Sequence, residues 1–177
     1  AEYLVKDPFI LHKARKPKKQ VIYLSEPELK ALEKYEFSQE RLQQVKDMFV
    51  FCCYTGLAYL EMSSLEAKHI IKGFDGNLWV EMIRQKTDKK ISIPLLPKAL
   101  EIIDKYSEGA PKEFKKLPPI SNQKFNSYLK EISAILGIEK NLTHHTARKT
   151  FATTVLLFNN VPMEIVSELL GHSNMNI

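Results

Sequence analysis

The sequence predicts a mainly α-helical domain with one small three-stranded antiparallel β-sheet inserted near its middle. Apolar residues recur at helical spacing through most of the chain, as in "LSEPELKALEKYEF" at residues 24–37. Between residues 69 and 94 the pattern changes to short runs rich in β-branched and aromatic residues. The chain has 177 residues, 44% hydrophobic and 27% charged, which suits one globular domain with a hydrophobic core.

The first helices are indicated by their caps and their apolar residues. Ser25 is placed to cap one helix with Glu28 at capping-box distance, and Ser38 is placed to open a longer one. The second half of that helix, within "RLQQVKDMFVFCCY", is apolar on every side, which predicts a central position in the core. We expect "TGL" at residues 55–57 to break it, and "AYLEMSSL" to form a short helix afterwards.

The β-sheet is predicted from "HIIKG", "NLWVEMIRQ" and "KISIPL", which are separated by the turn sequences "FDGN" and "KTDKK". Helices then return with "PKALEIIDKYS" and with "NQKFNSYLKEISAILG", which ends at Gly137. A further helix is expected from "THHTARKTFATT" to Phe158. The last helix has Pro162 in its first turn and Gly171 as its stop.

Composition and charge narrow the functional classes. No run of about 18 apolar residues occurs, so we predict no membrane span. Cys52 and Cys53 are adjacent within an apolar run, which predicts buried free thiols and a reducing compartment. The net charge of +5 permits a polyanionic partner without requiring one. The basic run "HKARKPKK" at residues 12–19 is equally compatible with a solvated arm and with a strap along a phosphate backbone.

His145 and Arg148 form the first candidate site. Residues three apart project from one helix face, where both side chains can reach one small anion, and helix N-terminal N–H groups favour phosphate. His144 should point elsewhere. The alternative is a histidine near a helix start beside a surface arginine.

Two further residues are candidates for this site. His172 follows the predicted helix-ending glycine, and a zinc site would need a third ligand besides His145 and His172. Lys86 lies where a strand enters a turn, a place where lysines are most often exposed. A lysine there is also placed to reach a DNA groove or to protonate a leaving group.

The order of four motifs resembles the catalytic domain of the tyrosine recombinases, the phage integrase family. These motifs are "YTGLAYLEMSSL", "RQKTDKKISIPL", "LTHHTARKTFATT" and "VSELLGHS". The resemblance runs from about residue 22 to the C-terminus, and the last third is most similar to integrases of conjugative transposons. It implies the tyrosine-recombinase catalytic-domain fold over residues 22–177, with residues 1–21 a basic linker from an N-terminal core-binding domain.

The resemblance also implies a reaction. Such enzymes cut DNA without metal or cofactor, through a tyrosine that forms a 3′-phosphotyrosyl link, and they integrate and excise mobile elements. Arg148 would clamp the phosphate, and His145 and His172 would hydrogen-bond it. Lys86 would be the general acid, and Glu61 would buttress the site.

This chain departs from the family pattern in two places. The family arginine after "TGL" is replaced by Ala58, and we predict that Arg84 substitutes for it. Arg84 lies two residues before Lys86 on the same strand, so both side chains should point toward the helix that carries Arg148. The family tyrosine is also absent, since all seven tyrosines precede residue 144 and the chain ends at Ile177. We therefore expect a fragment that binds DNA without strand transfer, cut from a longer and active bacterial cytoplasmic protein.

The implied partner is double-stranded DNA, on which the family assembles as a tetramer. The residues predicted to contact DNA are Lys13, Arg15, Lys16, Lys18, Lys19, Lys89 and Lys90. Three alternatives stay open at this point: a catalytically impaired DNA-binding regulator on the same fold, a type IB topoisomerase, and a helical bundle unrelated to DNA. Ala58 favours the regulator, and the joint presence of Lys86, His145, Arg148 and His172 favours the enzyme.

Overall fold

A computed structural model describes residues 20–85, 88–107 and 116–171. Its helices and strands confirm the predicted fold class, which is mostly helical with one three-stranded antiparallel sheet in the order β1-β2-β3. No helix in these ranges is long and apolar enough to cross a membrane. The helices are α1 (Glu26–Lys34), α2 (Glu40–Thr55), α3 (Tyr59–Ser63), α4 (Pro97–Ser107), α5 (Asn122–Ile135), α6 (His144–Thr150) and α7 (Met163–Leu169), and the strands are β1 (Ile70–Lys72), β2 (Leu78–Arg84) and β3 (Lys89–Pro94).

Helix α2 lies at the centre of the fold and packs against α1, α4, α5 and α6. Its second half is buried all round, as its composition predicts, and Cys52 and Cys53 are free thiols with no exposed surface. The helix stops at Gly56, whose φ of 64° is left-handed. A Cβ at Gly56 would lie 2.3 Å from Phe151 Cδ1, so only glycine allows the "TGL" turn to approach the segment after α6 this closely.

The sheet follows the alternation that its sequence predicts. Val80 and Met82 face the core, while Ile83 is 64% exposed. Because side chains alternate along a strand, Arg84 projects from the same face as Val80 and Met82. Strand β2 pairs with both neighbours, and Arg84 lies opposite Lys89 of β3.

Two helix starts differ slightly from the prediction. Helix α2 begins at Glu40 with Gln39 as its cap, and the side chain of Gln43 accepts the N–H of Phe37 at 2.9 Å in the turn before it. Pro162 precedes the first turn of α7 and does not lie inside it.

The helix expected to continue to Phe158 is not a single α-helix. After α6 the backbone forms a π-helical segment, Phe151–Leu156, and a 3₁₀ turn, Leu157–Asn159. The hydroxyl of Thr150 donates to Thr146 O at 2.8 Å, a pattern that competes with the regular backbone ladder and bends helices. The change of helix type therefore comes directly after the residues that carry the candidate site.

Candidate active site

Helix α6 is held at its first turn by contacts from two directions. The N–H of Thr143 donates to Thr146 Oγ1 at 3.1 Å, which caps the helix locally. The N–H of His144 donates to Asn126 Oδ1 on α5 at 3.0 Å. These bonds satisfy amide groups that an open helix end leaves unpaired, so the direction of α6 relative to α5 is defined.

His145 and Arg148 face one cavity of about 470 Å³ between α6, the π-helical segment and α7. The cavity walls are largely apolar, with Lys149 and Ser167 adding polar groups. His145 is exposed and Arg148 is partly buried. The cavity therefore has an apolar lining and a cationic edge.

Arg148 is fixed by two backbone carbonyls. Its Nη1 donates to Gly56 O in the "TGL" turn, and its Nη2 donates to Leu170 O at the C-terminal end of α7. Burial and then the neighbouring charge of Arg84 lower the pKa of Arg148 to about 10, while Glu61 acts in the opposite direction. At neutral pH the guanidinium keeps its charge.

Arg84 reaches the same carbonyl from the sheet. Its Nη1 donates to Leu170 O at 2.7 Å and to Gly171 O at 3.0 Å, and its side chain is only 12% exposed. Two guanidinium groups from different elements thus meet at Leu170 O. Ala58, which caps α3, presents only a methyl group.

Glu61 supplies the negative charge of this cluster. Its side chain is 4% exposed, and its Oε1 lies 3.7 Å from Arg84 Nε. Its buried Oε2 has no hydrogen-bond partner among the described residues. Two guanidinium cations against one carboxylate leave the cluster with a net positive charge, an arrangement suited to hold an anion.

Comparison with known proteins gives the decisive observation. A family model described as the phage integrase family matches residues 23–177, most of the chain. The chain belongs to the phage integrase family. The family predicted from the motifs is thereby confirmed, whereas the conjugative-transposon subtype stays a prediction.

Curated proteins named tyrosine recombinase are similar in sequence to this chain. The tyrosine recombinase XerD of Listeria monocytogenes serotype 4b is 35% identical over 138 residues, which cover 69% of this chain and 44% of that protein. The tyrosine recombinase XerD of Staphylococcus aureus strain Mu50 is 28% identical over 191 aligned positions, which cover 99% of this chain and 62% of that protein. The chain thus spans about half the length of these relatives.

Two solved structures share the fold of this integrase-family chain. XerH site-specific recombinase, in a post-cleavage complex with its palindromic difH substrate, has a TM-score of 0.68 at 19% identity and covers 87% of this chain and 47% of that one. A lambda integrase dimer bound to a COC′ core site has a TM-score of 0.67 at 19% identity and covers 94% of this chain and 49% of that one. At these identities the likeness concerns the fold.

His144 points away from the cavity, as predicted, and lies in the integrase-domain core. Its Nε2 is 3.3 Å from Cys52 Sγ, and its ring lies 6.0 Å from that of Tyr59 and 5.7 Å from that of Phe125. Burial first, and then the charges of His145 and Arg148, lower the pKa of His144 to about 4. The imidazole of His144 is therefore neutral at neutral pH and packs in the core beneath the first turn of α6.

Several predicted site residues of this integrase-family chain lie outside the described ranges. They are His172, Lys86 and the basic-arm residues Lys13, Arg15, Lys16, Lys18 and Lys19. Lys89 and Lys90 are exposed on β3, and Lys90 pairs with Glu81 at 2.6 Å. Within the described residues no three His, Cys, Asp or Glu side chains are grouped to hold a metal ion.

Sequence reasoning missed four groups that shape the site. The carbonyls of Gly56, Leu170 and Gly171 orient both arginines, and Asn126 anchors α6. A backbone carbonyl has no residue-specific signature. Only the glycines with left-handed φ, Gly56 and Gly171, could have indicated that the backbone comes close to other groups at these turns.

Proposed function

We propose that this chain is the phosphate-binding part of a site-specific DNA recombinase of the tyrosine type. The observation that carries the proposal is the meeting of Arg84 and Arg148 at Leu170 O, beside the buried carboxylate of Glu61. A phosphodiester under attack gains negative charge, and two preorganised guanidinium groups can stabilise it. Arg84 takes the place of the arginine that the family has at the position of Ala58.

The proposed reaction exchanges one phosphoester for another. A tyrosine oxygen attacks the scissile phosphorus and forms a P–O bond, while the bond to the 5′-oxygen breaks. The phenol gives its proton to His145 as general base, and the leaving 5′-oxygen takes one from Lys86 as general acid; the second step returns both protons by the reverse path. The 5′-hydroxyl of a second strand then attacks the phosphotyrosine and regenerates the phenol, so no external energy source is needed.

Within this proposal, Arg148 and Arg84 bind the non-bridging oxygens, and His145 and His172 hydrogen-bond the phosphate. The partner is double-stranded DNA. Four copies of the full-length protein assemble on two duplexes, and the basic residues of the arm and of β3 contact the phosphate backbone. The substrate class is the end of a mobile element of conjugative-transposon type, a proposal that rests on the similarity of the sequence at residues 145–174 to integrases of conjugative transposons. Kinship to proteins named tyrosine recombinase supports the reaction class.

The full-length protein tests the proposal with a nicked suicide duplex that carries its recombination site. We expect a covalent protein–DNA adduct on a denaturing gel, formed equally well in the presence of a metal chelator, because Arg, Lys and His supply the positive charge. Arg148→Ala should abolish the adduct without abolishing DNA binding. DNA binding with no adduct from the unaltered protein would instead favour the impaired regulator, which Ala58 makes the second candidate.

A further inference from the structure

The backbone N–H and C=O of Leu24 are both bound by threonines distant in sequence, one in α6 and one in the π-helical segment that follows it. Its N–H donates to Thr150 Oγ1 at 2.9 Å, across 126 residues of sequence. Its carbonyl accepts the hydroxyl of Thr154, across 130 residues. Leu24 and Thr150 have no exposed surface, and Thr154 is 5% exposed. Because water cannot replace these partners, each bond is costly to lose.

Side chains around Leu24 hold the same stretch in place. The ring of Tyr23 meets that of Phe158 edge-on at 6.2 Å, and Lys140 Nζ lies 5.9 Å from the Tyr23 ring centroid. Glu28 accepts the N–H of Ser25 at 2.7 Å and also pairs with Lys140 at 2.5 Å. We call residues 20–25 the leading segment, and these contacts hold it against the helix that carries the site.

The leading segment also reaches the candidate active site. Val21 lines the cavity that His145 and Arg148 face. The threonines that hold Leu24 lie two and six residues after Arg148, on continuous helical backbone that ends in the π-helical segment. The residues that hold the leading segment therefore lie on the stretch of chain that immediately follows Arg148.

We propose that Thr150 and Thr154 are positioning residues, which tie the leading segment to α6 so that a displacement of the segment changes the placement of Arg148 and His145. Neither threonine touches the proposed phosphate. The inference rests on the proposed function, because its readout is DNA cleavage. It assigns a purpose to Thr150 and Thr154, two of the three threonines of "RKTFATT", which the phosphate chemistry leaves unexplained.

The test uses the full-length protein with Thr154→Val, which keeps the shape of the side chain and removes the hydroxyl. Thr154→Ser restores the hydroxyl, and Thr150→Val removes the other bond. Ser133→Ala is the matched control, because Ser133 is buried on α5 and its hydroxyl donates only to Lys130 O of its own helix. Three quantities are measured for each variant: amide hydrogen exchange at Leu24, DNA affinity, and the single-turnover cleavage rate of a nicked duplex.

For Thr150→Val, which removes the acceptor of the Leu24 N–H, we expect exchange of that amide to accelerate about fivefold or more, the range expected for loss of one buried hydrogen bond. Thr154→Val removes the donor to the Leu24 carbonyl, so the same amide should also exchange faster, because the segment is released. In both valine variants cleavage should slow by about tenfold while DNA affinity stays the same, because a misplaced Arg148 slows the reaction but leaves the other contacts to the DNA phosphates in place. Thr154→Ser should recover both rates, and Ser133→Ala should change neither.

Faster exchange combined with normal cleavage would overturn the inference and leave the threonines a purely structural role. Unchanged exchange in both valine variants would overturn it as well, because the bonds would then not hold the segment. Failure of the unaltered protein to cleave is a different result: it refutes the proposed function, and the exchange data still report whether the segment is held. Thermal melts of each variant separate these outcomes from unfolding.

Discussion

Replacing Arg84 with alanine should slow DNA cleavage at least a hundredfold and leave DNA affinity nearly unchanged. Arg84 is 12% exposed and donates two hydrogen bonds, at 2.7 and 3.0 Å, to Leu170 O and Gly171 O beside Arg148. Loss of a phosphate-clamping donor costs about 3 kcal/mol of transition-state stabilisation, which corresponds to roughly a hundredfold in rate. Binding depends on many phosphate contacts, so one buried arginine contributes little to it.

The same replacement should also weaken the fold, and this effect must be separated from catalysis. Hydrogen bonds from a charged donor contribute about 1.5–3 kcal/mol, and removal of Arg84 leaves the buried carboxylate of Glu61 without its ion-pair partner. Urea unfolding of Arg84→Ala should therefore show a loss of about 2–4 kcal/mol. Arg84→Lys keeps the charge near Glu61 but lacks the planar fork, so it should recover stability more than cleavage.

The assay is single-turnover formation of the covalent adduct on a nicked duplex, at a temperature where every variant is folded. Arg41→Ala is the matched control, because Arg41 makes a two-bond ion pair with Glu131 at 2.8 Å between α2 and α5 and does not line the cavity. Ala58→Arg in the Arg84→Ala background should restore part of the rate. Cleavage at the normal rate by Arg84→Ala refutes the reasoning, and the lost family arginine would then be unnecessary or supplied elsewhere.

Three further predictions concern stability and binding. Gly171→Ala should cost about 1–3 kcal/mol in urea unfolding, because its φ of 60° is strained for alanine and the new Cβ would lie 2.9 Å from Ile91 Cγ2. Gly137 has a φ of 64° and open space around it, so Gly137→Ala introduces the backbone strain without a clash and should cost less stability. Equal losses in the two variants would contradict a contribution from the clash with Ile91. Because burial lowers the pKa of His144 from 6.5 to about 4, its contribution to stability is full above pH 6.5 and is lost as the pH falls toward 4. Between pH 8 and pH 5 this loss should be about 2 kcal/mol, and His144→Leu should lack it; an identical pH profile in that variant would exclude His144 as the cause. DNA affinity should fall steeply between low and physiological salt, since the net charge of +5 acts through phosphate contacts, and a flat response would count against that mode of binding.

Local patterns account for most of the fold. The capping box of Ser25 and Glu28, the strand alternation around Val80 and Met82, and the left-handed Gly137 all depend on neighbours within a few residues. Signals of this range can be read from the sequence. The helix predicted to run to Phe158 is helical over that length, but its type changes from α to π at Phe151. No local pattern indicates that change, and the threonines beside it bind Leu24, more than a hundred residues away.

The sequence by itself determined the family, the shared helix face of His145 and Arg148, and the sheet face from which Arg84 projects. Each of these follows from motif order or from the periods of helix and strand. Only the tertiary structure decided that Arg84 and Arg148 meet at Leu170 O, and that Glu61 is buried beside them. The physical reason is that both arginines are oriented by backbone carbonyls, which every residue carries. Which carbonyl reaches them depends on how α7 packs against the sheet and α6, and no local pattern encodes that.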